Sequence, residues 1–331
     1  MIDISVIKNW RYHQHYFNKN WHYHKVPITI LLGNIPLYTY KVWLHVREIG
    51  LEDNAAPMKN LIPPPDPLHG NSQGFLVRSV QVAEQQLIPQ KTQDYISYIP
   101  YQYSRYYIDM QQSFEEYKSK FSSKTISTIN RKIRKYTKFC NGHLSWKIYN
   151  SVNEMDEFYQ LARIISEKTY QEKLYDEGLP DSDKFLNEMK LLSQQGNIQA
   201  FILFHENKPV SYLYCPVSDH TLIYAYVGYD PDYTKHSVGT ILQWHALELL
   251  FQERSFHFFD FTEGESEQKK LLATHNIRCA NIFFIRYNLN NILMLQSKKA
   301  ADMFCSSIGT LLDKVGKKDA LKKLLRSGGL H

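Results

Sequence analysis

The segment from residue 222 to residue 270 constrains the fold of this chain more than any other. Two stretches rich in β-branched and aromatic residues, Leu222–Tyr229 and Phe256–Phe261, are predicted strands, and the apolar stretch Thr240–Arg254 between them is a predicted helix. Two strands joined by such a helix form a βαβ unit with parallel strands and a right-handed crossover. The chain enters the helix through the polar loop Asp232–Ser237. Because a helix N-terminus exposes free N–H groups, an anion is favoured there.

The overall composition is that of a globular chain with a mild positive charge. Among 331 residues, 39 are Lys or Arg and 33 are Asp or Glu, which gives a formal net charge of +6. That excess is too small to argue for nucleic acid without a local basic patch. The cysteines stand far apart without a CxxC pair, so neither a disulfide framework nor a zinc site is expected; they are Cys140, Cys215, Cys279 and Cys305.

Two further patterns bear on the cellular location. No apolar run approaches the roughly 18 residues that span a bilayer. The first residues, MIDISVIKNWRYHQ, lack the apolar region of a signal peptide. Together with the cysteine usage, these patterns predict a cytoplasmic protein.

Further strands and helices are predicted on both sides of the βαβ unit. Strands are predicted at Val26–Leu32, Leu37–Ile49, Phe75–Val82, Tyr95–Tyr107 (with a turn at its proline), Leu144–Asn150, Asn197–His205, Val210–Val217 and Asn281–Tyr287, and helices at Ser113–Phe139, Val152–Gln171 and Asp181–Gln194. Three sequential antiparallel strands, of which Leu222–Tyr229 is the last, therefore lead into the βαβ unit. The class is α/β with a mixed sheet.

The predicted helix Ser113–Phe139 is strongly basic. Ser113 and Glu116 have the spacing of a capping box. The basic residues, with no acidic residue between them, are Lys124, Arg131, Lys132, Arg134, Lys135 and Lys138. Such a run is either a solvated helix face or a surface that contacts phosphate groups, since Arg and Lys pair with phosphate oxygens.

The N-terminal segment carries two HxH pairs. His13 pairs with His15 and His22 with His24, and each pair shares one face of a strand. They are either metal ligands or part of a polar, aromatic edge. Because no carboxylate or cysteine nearby completes a ligand set, no metal is expected.

The C-terminal segment 296–331 is a predicted basic amphipathic helix. It holds eight Lys or Arg residues and three Asp residues. The resulting surplus of positive charge is almost the whole net charge of the chain. Such a helix either packs on its own domain or lies on an anionic membrane surface.

The central stretch resembles the CelD/BcsL group of GNAT-type acetyltransferases, which are close in fold to the FemAB peptidyltransferases. The resemblance covers about Phe114–Tyr287, including a basic helix ahead of the acyltransferase core. The matching residues are Gly228-Tyr229-Asp230-Pro231, Ser237 and Gly239 at the start of the helix, and Asp260 followed by Gly264 and Lys269.

The resemblance implies a GNAT fold, in which central parallel strands splay apart and an acyl-CoA (acetyl-CoA or a longer one) lies in the gap as cosubstrate. It implies that the pantetheine pairs with the backbone of Tyr226–Tyr229 and that the pyrophosphate binds N–H groups of His236–Thr240. The implied donor-binding residues are Val227, Gly228, Tyr229, His236, Ser237, Val238, Gly239 and Thr240. FemAB relatives often duplicate the fold, so Val26–Tyr107 is interpreted as a degenerate first copy.

This interpretation divides the chain into three parts. They are an N-terminal degenerate or accessory domain over residues 1–112, a GNAT domain over 113–290 that includes the basic helix 113–139, and a basic helical tail over 291–331.

One departure concerns the donor loop. Ordinary GNAT enzymes have a loop of the form Gln/Arg-x-x-Gly-x-Gly/Ala, whereas residues 235–240 here read Lys-His-Ser-Val-Gly-Thr, with a single glycine. This difference weakens the expectation of acetyl-CoA, and since FemAB relatives take an aminoacyl group from tRNA, the donor stays open.

Acyl transfer to an amine needs a base, a polarised carbonyl and an acid for the leaving thiolate. Glu263, just past the second parallel strand, and Asp260, at its end, are candidate bases, and the alternative is that both cap the next helix. Lys269 is a candidate for stabilising the oxyanion or binding an acceptor phosphate, and Tyr226 and Tyr229 are candidate acids toward the thiolate. Candidate substrate-binding residues are Arg131, Arg134 and Tyr170.

Three functions follow. The first is an acyl-CoA-dependent N-acyltransferase acting on an amino sugar, or a nucleotide- or lipid-linked sugar, in cell-envelope or exopolysaccharide synthesis. The second is a FemAB-type transferase that uses aminoacyl-tRNA, the only case in which nucleic acid is expected. The third is a non-catalytic protein that binds an acyl-CoA or a glycan precursor. The oligomeric state is open.

Overall fold

The computed structural model describes residues 21–32, 35–53, 71–82, 94–100, 102–169, 178–253 and 255–314. The strands are β1 (His22–Leu32), β2 (Ile35–Glu48), β3 (Gly74–Gln81), β4 (Tyr95–Tyr98), β5 (Gln102–Asp109), β6 (Ser145–Tyr149), β7 (Ile198–His205), β8 (Lys208–Ser218), β9 (Thr221–Ile223), β10 (Tyr226–Tyr229), β11 (Phe258–Asp260) and β12 (His275–Arg286). The α-helices are α1 (Phe114–Ser119), α2 (Ser123–Phe139), α3 (Met155–Ser166), α4 (Asp183–Gln194), α5 (Val238–Glu253), α6 (Glu267–Leu272) and α7 (Leu289–Lys314), with short 3₁₀ helices at Val152–Glu154 and Pro231–His236.

These strands form one mixed sheet in the order β1-β2-β3-β12-β5-β11-β9-β8-β7-β6, with β10 paired to β8 and β4 paired to β12. Strands β6, β7, β8 and β9 are sequentially antiparallel. Strand β9 is parallel to β11, to which it is joined through β10 and α5. The mixed α/β class, the antiparallel meander and the βαβ unit are therefore confirmed.

Strand β5 connects the N-terminal part of the chain to the βαβ unit. It lies between β11 and β12 and is antiparallel to both. Strand β3 pairs with the other edge of β12. Strands on both sides of residue 113 thus share one sheet, whereas the division into three domains stays a prediction.

The basic helix is two helices rather than one. The capping box at Ser113 is present, because its hydroxyl accepts from the Glu116 N–H at 3.1 Å and its own N–H donates to the Glu116 carboxylate at 2.6 Å. Helix α1 ends at Ser119, and Ser122 caps α2 by accepting from the Thr125 N–H at 3.1 Å. The prediction of one continuous helix over Ser113–Phe139 was wrong because Ser122 starts a second helix.

Three other predicted elements differ in the structure. The predicted strand Leu222–Tyr229 is interrupted at residues 224–225, which separate β9 from β10. The predicted loop Asp232–Ser237 is largely a 3₁₀ helix that begins at Pro231, whose fixed φ suits a first helical position. The C-terminal helix begins at Leu289 rather than at residue 296. Among the residues that the structure describes, no helix is long and apolar enough to cross a bilayer.

Helix α5 is the central helix of the fold. Residues on all its sides are buried, among them Ile241, Leu242, Trp244 and Leu247. It packs on β7, β8 and β10 and also against α1 and α2, so its apolar residues have partners on opposite sides. A helix that is apolar all round is typically buried in this way.

Candidate active site

The candidate site is the gap between β10 and β11, the strands that precede and follow α5. Three residue pairs join β9 to β11, and the Tyr224 N–H then donates to the Asp260 carbonyl at 2.9 Å. Beyond Tyr224 the chain leaves β11, and β10 pairs only with β8 among the described strands. One edge of β10 therefore presents backbone groups that no described strand pairs.

The backbone of β10 is held tightly at Gly228. Ser211 Oγ donates to the Gly228 carbonyl at 2.9 Å. A Cβ at position 228 would lie 2.4 Å from Tyr212 Cε1 and 3.2 Å from Thr169 Cγ2. Only glycine fits here, which allows the strand to lie close to the Tyr212 ring. Tyr226, two residues earlier, is half-buried.

The N-terminus of α5 follows directly after this strand. Ser237 adopts a left-handed conformation (φ 56°), and α5 begins at Val238. The first backbone N–H that makes a helical hydrogen bond to the residue four positions earlier is that of Ile241, which donates to the Ser237 carbonyl at 3.1 Å. The N–H groups of residues 238–240 precede it and have no intrahelical acceptor, so they can receive an anion. A Cβ at Gly239 would meet only Tyr229 Cδ1 at 3.5 Å and Ser211 Oγ at 3.9 Å.

The structure thus brings the eight predicted donor-binding residues to two adjoining places. Val227, Gly228 and Tyr229 lie on β10, and His236, Ser237, Val238, Gly239 and Thr240 lie at the N-terminus of α5. Whether they bind a donor stays a prediction.

Asp230 anchors the turn between these two places. It is buried, and its Oδ2 accepts hydrogen bonds from Lys168 Nζ at 2.9 Å and Lys208 Nζ at 3.1 Å. Its Oδ1 accepts from the Asp232 N–H at 3.1 Å. Burial alone raises the pKa of Asp230, but the hydrogen bonds from Lys168 and Lys208 outweigh it and hold that pKa below its usual range.

The 3₁₀ helix is also attached to α2. The His236 ring stacks on Phe139 with centroids 4.1 Å apart, and His205 stacks on Phe139 at 4.4 Å. His205 Nδ1 and the Tyr233 hydroxyl are 2.8 Å apart. Burial lowers the pKa of His236, and the nearby Lys135 lowers it further, which favours the neutral ring.

Asp260 is engaged in a buried ion pair. Arg105 on β5 donates to Asp260 Oδ2 from Nε at 3.0 Å and from Nη2 at 2.5 Å, and its Nη1 donates to the Ile49 carbonyl at 2.8 Å. Asp260 Oδ1 accepts from the Thr262 N–H at 2.7 Å. With 1% of Asp260 exposed, both carboxylate oxygens are occupied by protein groups. This arrangement disfavours Asp260 as a base that receives a substrate proton.

Glu263 lies in the same buried ionic cluster. Its Oε2 is 3.6 Å from Arg78 Nη2 and accepts from Asn281 Nδ2 at 3.4 Å, and 4% of the residue is exposed. Arg78 also contacts Glu48 Oε2 at 3.3 Å. Three carboxylates therefore share two guanidinium groups, and burial raises the pKa of Glu48 although Arg78 and Arg105 act in the opposite direction.

Lys269 supports the turn after β11. Its Nζ donates to the carbonyls of Phe261 at 2.6 Å and Glu263 at 2.8 Å. Helix α6 is capped by Ser266, whose hydroxyl accepts from the Lys269 N–H at 3.1 Å. The alternative in which Asp260 or Glu263 caps this helix was therefore wrong.

The candidate substrate-binding residues lie elsewhere. Arg131 and Arg134 are exposed on α2, whereas Tyr170 lies outside the described residues. His13 and His15 also lie outside them, and within the described ranges no group of three or more His, Cys, Asp or Glu is arranged to hold a metal ion.

No sequence pattern predicted Arg78, Arg105 or Glu48 as members of the cluster. One signal was present, because Arg78 is a charged residue within the largely apolar strand FLVRSV. A charge within a buried strand requires a partner, but the partner is distant in sequence.

The splayed strands, the glycine at position 228 and the helix N-terminus that follows it agree with the family comparison. Residues 123–270 match the family model described as an acetyltransferase (GNAT) domain. Residues 123–270 therefore resemble a GNAT acetyltransferase domain. The match spans a little under half of the chain and does not distinguish the CelD/BcsL group within that superfamily. No curated protein matches the sequence.

Solved structures with a related fold lie far from this chain in sequence. The C-terminal domain of a putative lysylphosphatidylglycerol synthetase from Agrobacterium fabrum is 8% identical, with 83% of this chain and 88% of that chain covered and a TM-score of 0.48. FemX is 10% identical, with 88% of this chain and 97% of that chain covered and a TM-score of 0.48. A tandem GNAT protein from the clavulanic acid biosynthesis pathway is 10% identical, with 64% of this chain and 63% of that chain covered and a TM-score of 0.37.

Proposed function

We propose that this chain is an acyl-CoA-dependent N-acyltransferase of the CelD/BcsL kind, which acts in the cytoplasm. Its acceptor is an amino sugar, or a nucleotide- or lipid-linked sugar, used in cell-envelope or exopolysaccharide synthesis. The observation that carries the proposal is the edge of β10 that pairs with no described strand, which leads directly to the N–H groups of residues 238–240 that have no acceptor within α5.

The donor fits this arrangement through two kinds of backbone contact. The amides of pantetheine resemble a strand, so they can pair with the edge of Tyr226–Tyr229 in the gap where β11 has diverged. The N–H groups of residues 238–240 receive the pyrophosphate at the positive end of the α5 dipole. Gly239 lets the phosphates approach the backbone because no Cβ intervenes.

In the proposed reaction, the acceptor amine attacks the thioester carbonyl, a C–N bond forms and the C–S bond breaks. A base takes the proton that the ammonium or the attacking amine loses, and the thiolate takes a proton from an acid. We assign the base role to Glu263, directly or through a water molecule, and the acid role to Tyr226. Asp260 and Lys269 position the turn that carries Glu263, since their polar atoms are bonded to protein groups.

We test donor binding by the thermal shift of the full chain with acetyl-CoA, longer acyl-CoAs and tRNA. A ligand that binds the folded state raises the melting temperature by mass action. The expected result is a shift with a CoA thioester, and no shift with any CoA thioester contradicts the proposal. A shift with tRNA that falls steeply with salt supports the aminoacyl-tRNA alternative instead. A CoA shift without turnover of any amino-sugar acceptor supports a binding protein.

Gly239→Ala is the matched variant for this test. The new Cβ makes only ordinary contacts in the protein, and alanine is favoured over glycine in a helix by about 1 kcal/mol. We therefore expect a fold at least as stable as that of the wild type together with a smaller shift with the CoA thioester. An unchanged CoA shift would mean that the phosphates do not approach Gly239.

We also propose that the C-terminal part contacts an anionic membrane surface. Helix α7 exposes 70% of Leu289, 55% of Leu293 and 69% of Met303. Residues 296–331 add eight Lys or Arg residues against three Asp residues. An exposed apolar side combined with a basic surplus is the pattern that binds anionic lipid.

A further inference from the structure

An open groove of about 640 Å³ runs along α2, and none of the residues of the cleft between β10 and β11 lines it. Its apolar lining consists of Phe121, Ile126 and Ile133, and its polar lining includes Ser127, Asn130 and Arg134. The groove thus combines apolar side chains with hydrogen-bonding groups and one cation.

The lining follows from the spacing of residues on a helix. Ile126, Asn130, Ile133 and Arg134 recur at the three- and four-residue intervals that place side chains on one helix face. From Ser123 to Arg134 this face extends about 16 Å. Ile126 and Ile133 pack against the core while remaining partly exposed, so the apolar floor already exists in the folded protein.

The charge of α2 indicates what the groove accepts. The helix contains no acidic residue between Ser123 and Phe139. Arg134 is exposed and forms no ion pair with any described residue, so its guanidinium is available to a ligand. Guanidinium binds phosphate oxygens through paired hydrogen bonds, and an apolar floor favours burial of hydrocarbon.

We propose that this groove binds an amphiphilic phosphate of the prenyl phosphate type. The hydrocarbon lies on Phe121, Ile126 and Ile133, and the phosphate is bound by Arg134 with Asn130 and Ser127 nearby. Helix α2 also contacts the proposed donor loop, since Phe139 stacks on His236. If the proposed acyl transfer holds, this site selects lipid-linked sugars among the acceptor classes, whereas the binding of the phosphate itself does not depend on the proposed function.

The test is the binding of farnesyl phosphate to the full chain by isothermal titration calorimetry, without any CoA thioester and below the concentration at which the lipid forms micelles. Farnesol and inorganic phosphate are measured in parallel, because each supplies only one half of the ligand. We expect farnesyl phosphate to bind at least tenfold more tightly than either.

Two exposed cations on the same helix provide a pair of variants. Arg134 lines the groove and Lys138 does not. Arg134→Gln is expected to weaken binding at least tenfold, whereas Lys138→Gln leaves it within twofold. Ser127→Trp, an exposed position where a large side chain fills the groove, is expected to abolish binding with an unchanged circular dichroism spectrum.

Three results overturn the proposal: no binding of farnesyl phosphate, equal binding of farnesol, or equal losses with Lys138→Gln and Arg134→Gln. The last result indicates nonspecific attraction by the basic helix. A thermal shift with a CoA thioester that persists while farnesyl phosphate fails to bind removes the groove proposal alone. Binding of farnesyl phosphate without any CoA shift removes the acyltransferase proposal alone.

Discussion

Arg105 Nε and Nη2 both donate to one oxygen of Asp260, at 3.0 Å and 2.5 Å. The two residues lie on adjacent strands, β5 and β11, and both are buried. This ion pair therefore joins β5, which precedes the residues that match the family model, to β11, which lies among them, at the point where β9 and β10 separate.

Asp260→Asn is expected to destabilise the protein by about 3–5 kcal/mol, because it removes the carboxylate that accepts two hydrogen bonds from the buried Arg105 guanidinium. The measurement is the free energy of unfolding in urea. Asp156→Asn is the control, since it removes an exposed ion pair with Lys190 (2.8 Å) and is expected to cost less than about 1 kcal/mol. Equal losses in the two variants would show that the Arg105 contact contributes nothing beyond a surface pair.

Glu263→Gln is expected to lower kcat at least about tenfold with the fold intact, because the variant cannot accept the acceptor's proton. Glu48→Gln is the control, since Glu48 contacts the same Arg78 and has no proposed role in proton transfer. A smaller loss of kcat in Glu263→Gln, or the same loss in both variants, removes Glu263 from the role of base.

Gly228→Ala is expected to cost about 1–3 kcal/mol of stability through overpacking. The new Cβ would lie 2.4 Å from Tyr212 Cε1, and Tyr212 is itself buried, so its ring has little room to move. Thermal and urea unfolding measure the cost. Gly239→Ala is the steric control, since its nearest contact is at 3.5 Å, and a similar loss in that variant would contradict the packing argument.

The Asp230 ion pairs predict a specific dependence of stability on pH. The folded-state pKa of Asp230 lies below its ordinary value of 3.8. The unfolded state therefore binds more protons in the interval between the two values, and stability falls as the pH falls through it. The contribution is complete above about pH 5 and is lost below the lower, folded-state pKa.

Asp230→Asn is expected to remove that dependence. The difference in unfolding free energy between wild type and variant should shrink as the pH is lowered from 5 towards 2, as measured by urea titrations. Asp183→Asn, at an exposed position on α4, serves as the control. A difference that stays constant over this interval would mean that Lys168 and Lys208 do not stabilise the charged form.

Membrane contact is measured by flotation with vesicles. We expect the chain to float with vesicles that contain phosphatidylglycerol, less so in high salt, and not with pure phosphatidylcholine. Replacing Leu289 and Leu293 together by Gln should abolish flotation. Leu191→Gln, which changes a leucine that is 53% exposed on α4, should not; flotation that survives the paired change on α7 would refute contact through that helix.

Much of the βαβ unit was predictable because its signals are local. The apolar lengths, the Asp230-Pro231 turn and the glycine at 228 all act within a few residues. The capping box at Ser113 is local as well, and it was confirmed. Where a local signal was overlooked, as with the cap at Ser122, one predicted helix became two.

The sequence alone therefore determined the fold class, the order of strands and helix in the central unit, and the helix N-terminus beside a glycine-containing strand. Only the tertiary structure decided that β5 lies between β11 and β12 and that Arg105 and Arg78 reach Asp260 and Glu263. The reason is physical: hydrophobic period and capping are properties of neighbouring residues, whereas a buried charge is stabilised by a partner from a distant strand. No local pattern specifies which strand supplies that partner.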